Sequence, residues 1–283
     1  MSPDHKSGRA SQLGTMERIA LRLDDVGASS KKYEIYSNHS WKVCGLSISA
    51  NWLFLKYLNS FKCWGPYREL IVDEWFGIYD LLEKYGAKLT VAVTAAWVKS
   101  NGCLIPFPER FPEEATALKE GLDQGLIEIA NHGLTHCVLK NNLFKPKWFS
   151  SNRSYHREFW DWLPYDVQKE HINRSQDILQ GWFGTDIVTF VPPGNVFTDA
   201  TLEIAQKYGL RYVSCSKPPK TDNDFVIISG KQVVPFHDRD IVINGIEWLR
   251  EQLVKRQDKQ FCFIGELGES IIMSANQAKL PES

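Results

Sequence analysis

Short apolar runs alternate with amphipathic stretches along most of the chain. Seven runs read as strands, at residues 18–23, 88–94, 126–130, 187–191, 211–215, 226–236 (interrupted by Gly230) and 261–265. Each is rich in β-branched or aromatic residues and is bounded by Gly, Pro or charged residues. Between the strands, apolar positions recur at helical spacing. Trp75, Phe76, Tyr79, Leu82 and Tyr85 show it, with Gly86 as the stop. Residues 115–123, 166–182, 199–208 and 245–254 follow the same pattern, and Thr198-Asp199 and Gly209 punctuate the third of them. This alternation predicts a mostly parallel sheet with crossover helices. Periodicity alone leaves its closure open between a barrel and a doubly wound sheet.

Two connections exceed the usual loop length, residues 26–74 and 137–164. They carry Trp41, Trp52, Trp64, Trp148, Trp160 and Trp162. The expected organisation is one domain over residues 17–272 with these two insertions, a disordered leader at 1–16 and a disordered tail at 273–283.

Composition narrows the function classes. The formal net charge of −1, from 33 basic and 34 acidic side chains, leaves no basic excess for a phosphate backbone, so no nucleic-acid partner is expected. No apolar run reaches the roughly 18 residues of a membrane span. The first sixteen residues contain no apolar core of a secretory signal. Cys44, Cys63, Cys103, Cys137, Cys215 and Cys262 form no CxxC pair, which suits reduced thiols in the cytoplasm.

The strand ends hold the candidate chemistry. The first strand delivers Asp24-Asp25, adjacent carboxylates that repel and lose solvation unless a cation or donors stand nearby. Alone, an Asp before Val26-Gly27 reads more readily as a turn than as a functional residue. The third strand ends in Asn131-His132-Gly133-Leu134-Thr135-His136, whose histidines share a face if the chain turns helical there. The sixth ends in His237-Asp238-Arg239-Asp240, and residues 187–191 run into Pro192-Pro193-Gly194-Asn195. A lone strand-end His, or a Pro-Gly turn, is ordinarily structural. Function in α/β folds gathers at the carboxyl ends of strands, however, and four strands here place chemistry at that edge. One carboxylate with two imidazoles is also a full three-ligand set for a divalent metal with a position left for water.

The segments LRLDDVG, NHGLTH, FVPPGN and VVPFHD, in that order, resemble the motifs of the polysaccharide-deacetylase (NodB-homology) family. The resemblance implies a distorted (β/α)7 barrel of NodB type in the α/β class. It implies Asp25, His132 and His136 as metal ligands, with Zn2+ the default ion. Asp24 would be the general base and His237 the acid, its imidazole held by Asp238 or another carboxylate. Pro193, Gly194 and Asn195 would line the substrate, with backbone N–H groups of that turn near its oxyanion. Trp160 and Trp162, in a charged non-periodic stretch, are further candidates because indole faces stack on sugars. The family's third motif usually opens with an arginine that orients the catalytic carboxylate. Val191 stands at that place here, and an acidic fourth motif is not located after Cys215.

The function so implied is metal-dependent removal of an N-acetyl or O-acetyl group from a carbohydrate. A cytoplasmic enzyme would meet a glycan precursor, as in surface polysaccharide (lipopolysaccharide) biosynthesis. The alternatives are a hydrolase of another non-peptide C–N bond and a non-catalytic carbohydrate-binding relic. Iron–oxygen chemistry on the same triad is disfavoured by the alternating βα pattern.

Overall fold

The computed structural model describes residues 16–51, 54–139, 156–216 and 225–277. Its first strand, β1 (Arg18–Val26), is buried beyond its first residue, as a strand covered on both faces of a parallel sheet must be. The insertion after it carries an exposed hairpin, β2 (Ser40–Val43) and β3 (Leu46–Ser49), turned by Cys44 and Gly45 at positive φ.

Helix α1 (Val72–Lys84) carries Asp73 and Glu74 in its first turn, where the helix dipole favours acids, and buries Trp75, Ile78, Tyr79 and Leu82. Then come β4 (Leu89–Val93), the hairpin β5 (Ala96–Val98) and β6 (Leu104–Pro106), α2 (Phe107–Arg110) and α3 (Pro112–Asp123). They are followed by β7 (Ile127–Asn131), α4 (Tyr165–Phe183), β8 (Thr189–Phe190) and α5 (Asp199–Lys207), which Thr198 caps. The chain closes with β9 (Tyr212–Ser214), β10 (Val226–Ile228), β11 (Val233–His237), α6 (Asp238–Asn244), α7 (Ile246–Val254), β12 (Gln260–Cys262) and α8 (Ile264–Gln277).

The sheet runs β10-β9-β8-β7-β4-β1-β11, all parallel, with β12 alongside the first residues of β1. It is strongly curled. Arg22 on β1 donates to Ser214 Oγ on β9 at 2.8 Å, although those strands lie four steps apart in the sheet. In a flat sheet that separation would be roughly 19 Å. The result is a (β/α)7 barrel of NodB type. Its outer face packs Leu21, Leu23, Leu89 and Val91 against Trp75, Ile78 and Leu82 of α1.

Helix α8 covers the amino-terminal end of the barrel. Its first N–H groups donate into the interior, from Ile264 to Thr90 Oγ1 and from Gly265 to the half-buried Glu128, while Ile264 and Leu267 pack on Ala20, Tyr212 and Val233. That leaves the carboxyl-terminal edge open for the site.

Several expectations need correction. Residues 226–236 form two strands, because residues 230–232 make a tight turn with Gly230 at φ 78°. The final strand ends at Cys262, and α6 and the two hairpins had no periodic signal long enough to show. Helix α8 continues to Gln277, so the tail expected from residue 273 begins as helix. The expected leader up to residue 15, residues 140–155 of the second insertion and residues 278–283 lie outside the described residues. No helix among the described residues is long and apolar enough to cross a membrane.

Candidate active site

Side chains alternate along a strand, so Asp24 and Asp25 should face opposite ways. They do not, because the register of β1 against β4 slips between Leu23 and Val26 and Asp25 takes a φ of 72°. This bulge brings both carboxylates to one cavity. A left-handed non-glycine residue costs about 1–2 kcal/mol. Here its carbonyl is held by the Ala28 N–H and Lys31 Nζ, each at 3.0 Å.

The two histidines arrive differently from expectation. The chain leaves β7 in an irregular loop rather than a helical turn, with Gly133 at φ 78° and His136 at φ 56°. The rings still converge, with centroids 4.9 Å apart. His132 Nδ1 donates to the Val191 carbonyl at 2.6 Å, and His136 Nδ1 pairs with Ser30 Oγ at 2.9 Å. Each ring therefore turns Nε2 toward Asp25 Oδ1, at 3.3 and 3.0 Å. One ligand atom from each of the three residues lies within 4.8 Å of the others, and all three residues are buried. His136 Nε2 is buried without a hydrogen-bond partner. An orphaned imidazole nitrogen facing a carboxylate, with the His132 tautomer set by the Val191 carbonyl and the His136 ring oriented by Ser30, fits a divalent metal of the zinc type. Burial alone would raise the Asp25 pKa, but His136, His237 and the bond from His132 hold it well below the usual carboxylate range.

Asp24 is gripped by Arg22. The guanidinium donates from Nε to Oδ1 at 2.8 Å and from Nη2 to Oδ2 at 2.7 Å, and both residues are buried. Across the strand pair, Asp24 stands directly beside His237. His237 meets the Trp64 ring edge-on at 5.0 Å between centroids. Burial opposes its charge, yet Asp25, Asp240 and Asp24 push its pKa up to about 9.

The carboxylate near the His237 ring is Asp240, 3.7 Å from Nδ1, and not Asp238. Asp240 faces back because it caps α6 by accepting the His237 N–H at 2.9 Å. Asp238 instead turns inward to the fully buried Lys31, which also bonds Glu69 at 2.5 Å. Tyr67 completes this layer, donating to Asp25 Oδ2 at 3.3 Å.

The cavity wall contains Asp24, Asp25, His132, His136 and His237, together with Pro192, Gly194 and Asn195 from the third motif. Glu34, Tyr36 and Trp64 come from the first insertion, and His156 and Arg157 from the second. Pro193 is buried, packs near Gly133 and is not among the lining residues. The Asn195 N–H is committed to the Pro192 carbonyl at 2.9 Å, so it is not a donor for an oxyanion. Trp160 and Trp162 are not among the lining residues, and the indole in the wall is Trp64.

Residues 72–213 match the family model described as polysaccharide deacetylase. The chain belongs to the polysaccharide deacetylase family. The match takes in both histidines and the third motif, while Asp24, Asp25 and His237 fall outside it.

Solved structures similar to this deacetylase-family chain include a CE4 family pseudoenzyme from Bacillus anthracis, at 13% identity and TM-score 0.48, covering 89% of this chain and 66% of that one. The Xyl-CE4 domain of a multidomain xylanase from the hindgut metagenome of Trinervitermes trinervoides matches at 13% identity and TM-score 0.47, covering 90% and 91%. A family 4 carbohydrate esterase from Streptomyces lividans, in complex with acetate, matches at 14% identity and TM-score 0.44, covering 87% and 91%. No curated protein matches the chain.

Sequence reasoning missed several residues of this deacetylase-family site. Arg22 carried a usable signal, since it lies two residues before Asp24 and strand alternation puts both on one face. Lys31, Glu34, Tyr67, Glu69 and Glu158 carried none, because they reach the site from insertions without periodicity.

Proposed function

We propose that this family member is a metal-dependent hydrolase that removes an acetyl group from an N-acetylated (or O-acetylated) carbohydrate. The observation that carries the reading is the placement of an arginine-clamped Asp24, with His237 directly beside it across the strand pair, in one cavity with the Asp25/His132/His136 triad.

Zinc is the ion this donor set suits best, with Asp25 Oδ1, His132 Nε2 and His136 Nε2 as its ligands. When bound, it polarises the acyl carbonyl and makes a water more acidic. Asp24, oriented by the two hydrogen bonds from Arg22, accepts the proton of the attacking water. A C–O bond to that water forms at the acyl carbon. His237, whose protonated form Asp25, Asp240 and Asp24 favour, donates to the leaving nitrogen or oxygen as the bond to the sugar breaks. The products are acetate and a free amine or hydroxyl. Tyr36 and Trp64, stacked on each other with Arg239 over the indole, give the wall aromatic surface for a sugar ring. A glycan precursor of surface polysaccharide is the substrate this reading favours, on the same ground as the cytoplasmic expectation from the cysteine pattern.

Elemental mass spectrometry of the purified protein beside His132→Ala, with acetate release from acetylated amino sugars, tests this reading. Near-stoichiometric zinc lost in the variant, with acetate release also lost in Asp24→Asn, is the expected result. Wild-type protein that holds no divalent metal even after reconstitution would leave only a binding role for the cavity.

A further inference from the structure

His136 reaches the metal-facing cluster on a loop that neither helix nor strand supports. Two of its residues, Gly133 and His136, are left-handed, so its backbone N–H groups need partners from elsewhere. They find one carboxylate. The N–H groups of Leu134, Thr135 and His136 all donate to Glu158, at 3.0, 3.1 and 2.8 Å. Glu158 comes from the second insertion and is 0% exposed. Its Oε1 also bonds His171 Nδ1 on α4, at 2.6 Å.

A carboxylate buried this deeply persists only where donors replace its water. The N–H groups here form a cradle of the kind that binds anions, and the anion is the protein's own. Packing makes the fit specific, because a methyl group at Gly133 would collide with Glu158 Oε2.

We propose that Glu158 is a positioning residue that presets His136 for the metal. This rests on the reading that the triad binds a metal. By holding three consecutive amides, Glu158 fixes the backbone of the ligand itself, and Ser30 then sets its ring. A metal ligand must be placed to within about half an ångström to bind well. Loss of such a supporting partner weakens metal binding about 10- to 100-fold.

Glu158→Gln is nearly isosteric, but it replaces one acceptor oxygen with an NH2 group facing the Leu134 N–H and His171, or the Thr135 and His136 N–H groups. Cobalt titration into the metal-free full-length protein compares wild type, Glu158→Gln and His171→Ala by affinity and visible spectrum. The expected result is about 10- to 100-fold weaker cobalt binding in Glu158→Gln with an altered visible band. His171→Ala, which leaves the three amide bonds in place, stays close to wild type. Glu158→Gln binding cobalt with wild-type affinity and spectrum overturns the proposal alone. Wild type that takes up no cobalt overturns the metal reading and this proposal with it.

Hydrogen exchange on the metal-free wild type needs no variant to fold. Slow exchange of the amides of residues 134–136 is expected from a preset loop. Exchange there as fast as in the exposed hairpin of residues 40–49 would overturn the proposal.

Discussion

Arg22 and Asp24 lie on the same face of one strand and share two parallel hydrogen bonds, at 2.8 and 2.7 Å. The remaining terminal nitrogen of Arg22 is anchored to Ser214 across the curled sheet. The fork occupies the rear of the carboxylate and leaves its other lone pairs to the cavity. Val191 stands where family members usually carry an arginine for this purpose, and its carbonyl serves His132 instead. The cation that adjacent carboxylates require comes from β1 itself.

Arg22→Lys tests the fork. Lysine keeps the charge but offers a flexible point donor rather than a planar pair. We expect kcat to fall about 100-fold, with KM and metal content near wild type, because misplacing a base acts on the chemical step. Steady-state kinetics with metal analysis checks this. An unchanged kcat would mean that charge alone suffices.

The parts legible in the sequence were those with a short period or a fixed local offset. The apolar runs marked the strands, and their carboxyl ends marked Asp24, Asp25, His132, His136 and His237. Arg22 was within reach of the same logic. The conditional helical turn at His132–His136 failed because Glu158 and Gly133 impose a loop that no local rule encodes. The partner of His237 was assigned among neighbours, and a capping bond decided for Asp240 while the buried Lys31 drew Asp238 away. Lys31 itself lies 207 residues from Asp238, a separation at which sequence pattern carries no information.

Lys31 is fully buried and answers two carboxylates, so Lys31→Met leaves Glu69 and Asp238 without their cation. Removing one partner of a buried ionic cluster costs about 3–5 kcal/mol. The cost should depend on pH. Burial already pushes Glu69 up to about 7 and raises Asp238, and both rise further without Lys31. The folded variant then binds more protons than the unfolded chain near neutrality, so its stability falls as pH rises. Chemical denaturation at pH 5 and pH 8 should show the larger deficit at pH 8. Equal deficits at both would mean that packing, not charge, dominates.

His237 gives a prediction that separates its charge from its surroundings. Burial works against protonation, but Asp25, Asp240 and Asp24 outweigh it and push the pKa to about 9. A histidine raised above its unfolded value of about 6.5 stabilises the fold fully below that value. The contribution is lost as pH rises through about 9. NMR titration of the metal-free protein should therefore place the His237 midpoint near 9, and Asp240→Asn should lower it. A divalent cation on Asp25 would offset the strongest of the attractive charges, so adding zinc should lower the midpoint as well. The alkaline limb of the proposed hydrolysis would then follow the zinc-loaded midpoint, because only the imidazolium can protonate the leaving group. A metal-free midpoint at or below 6.5 would mean that the ring is neutral at working pH, and His237 could not be the proton donor.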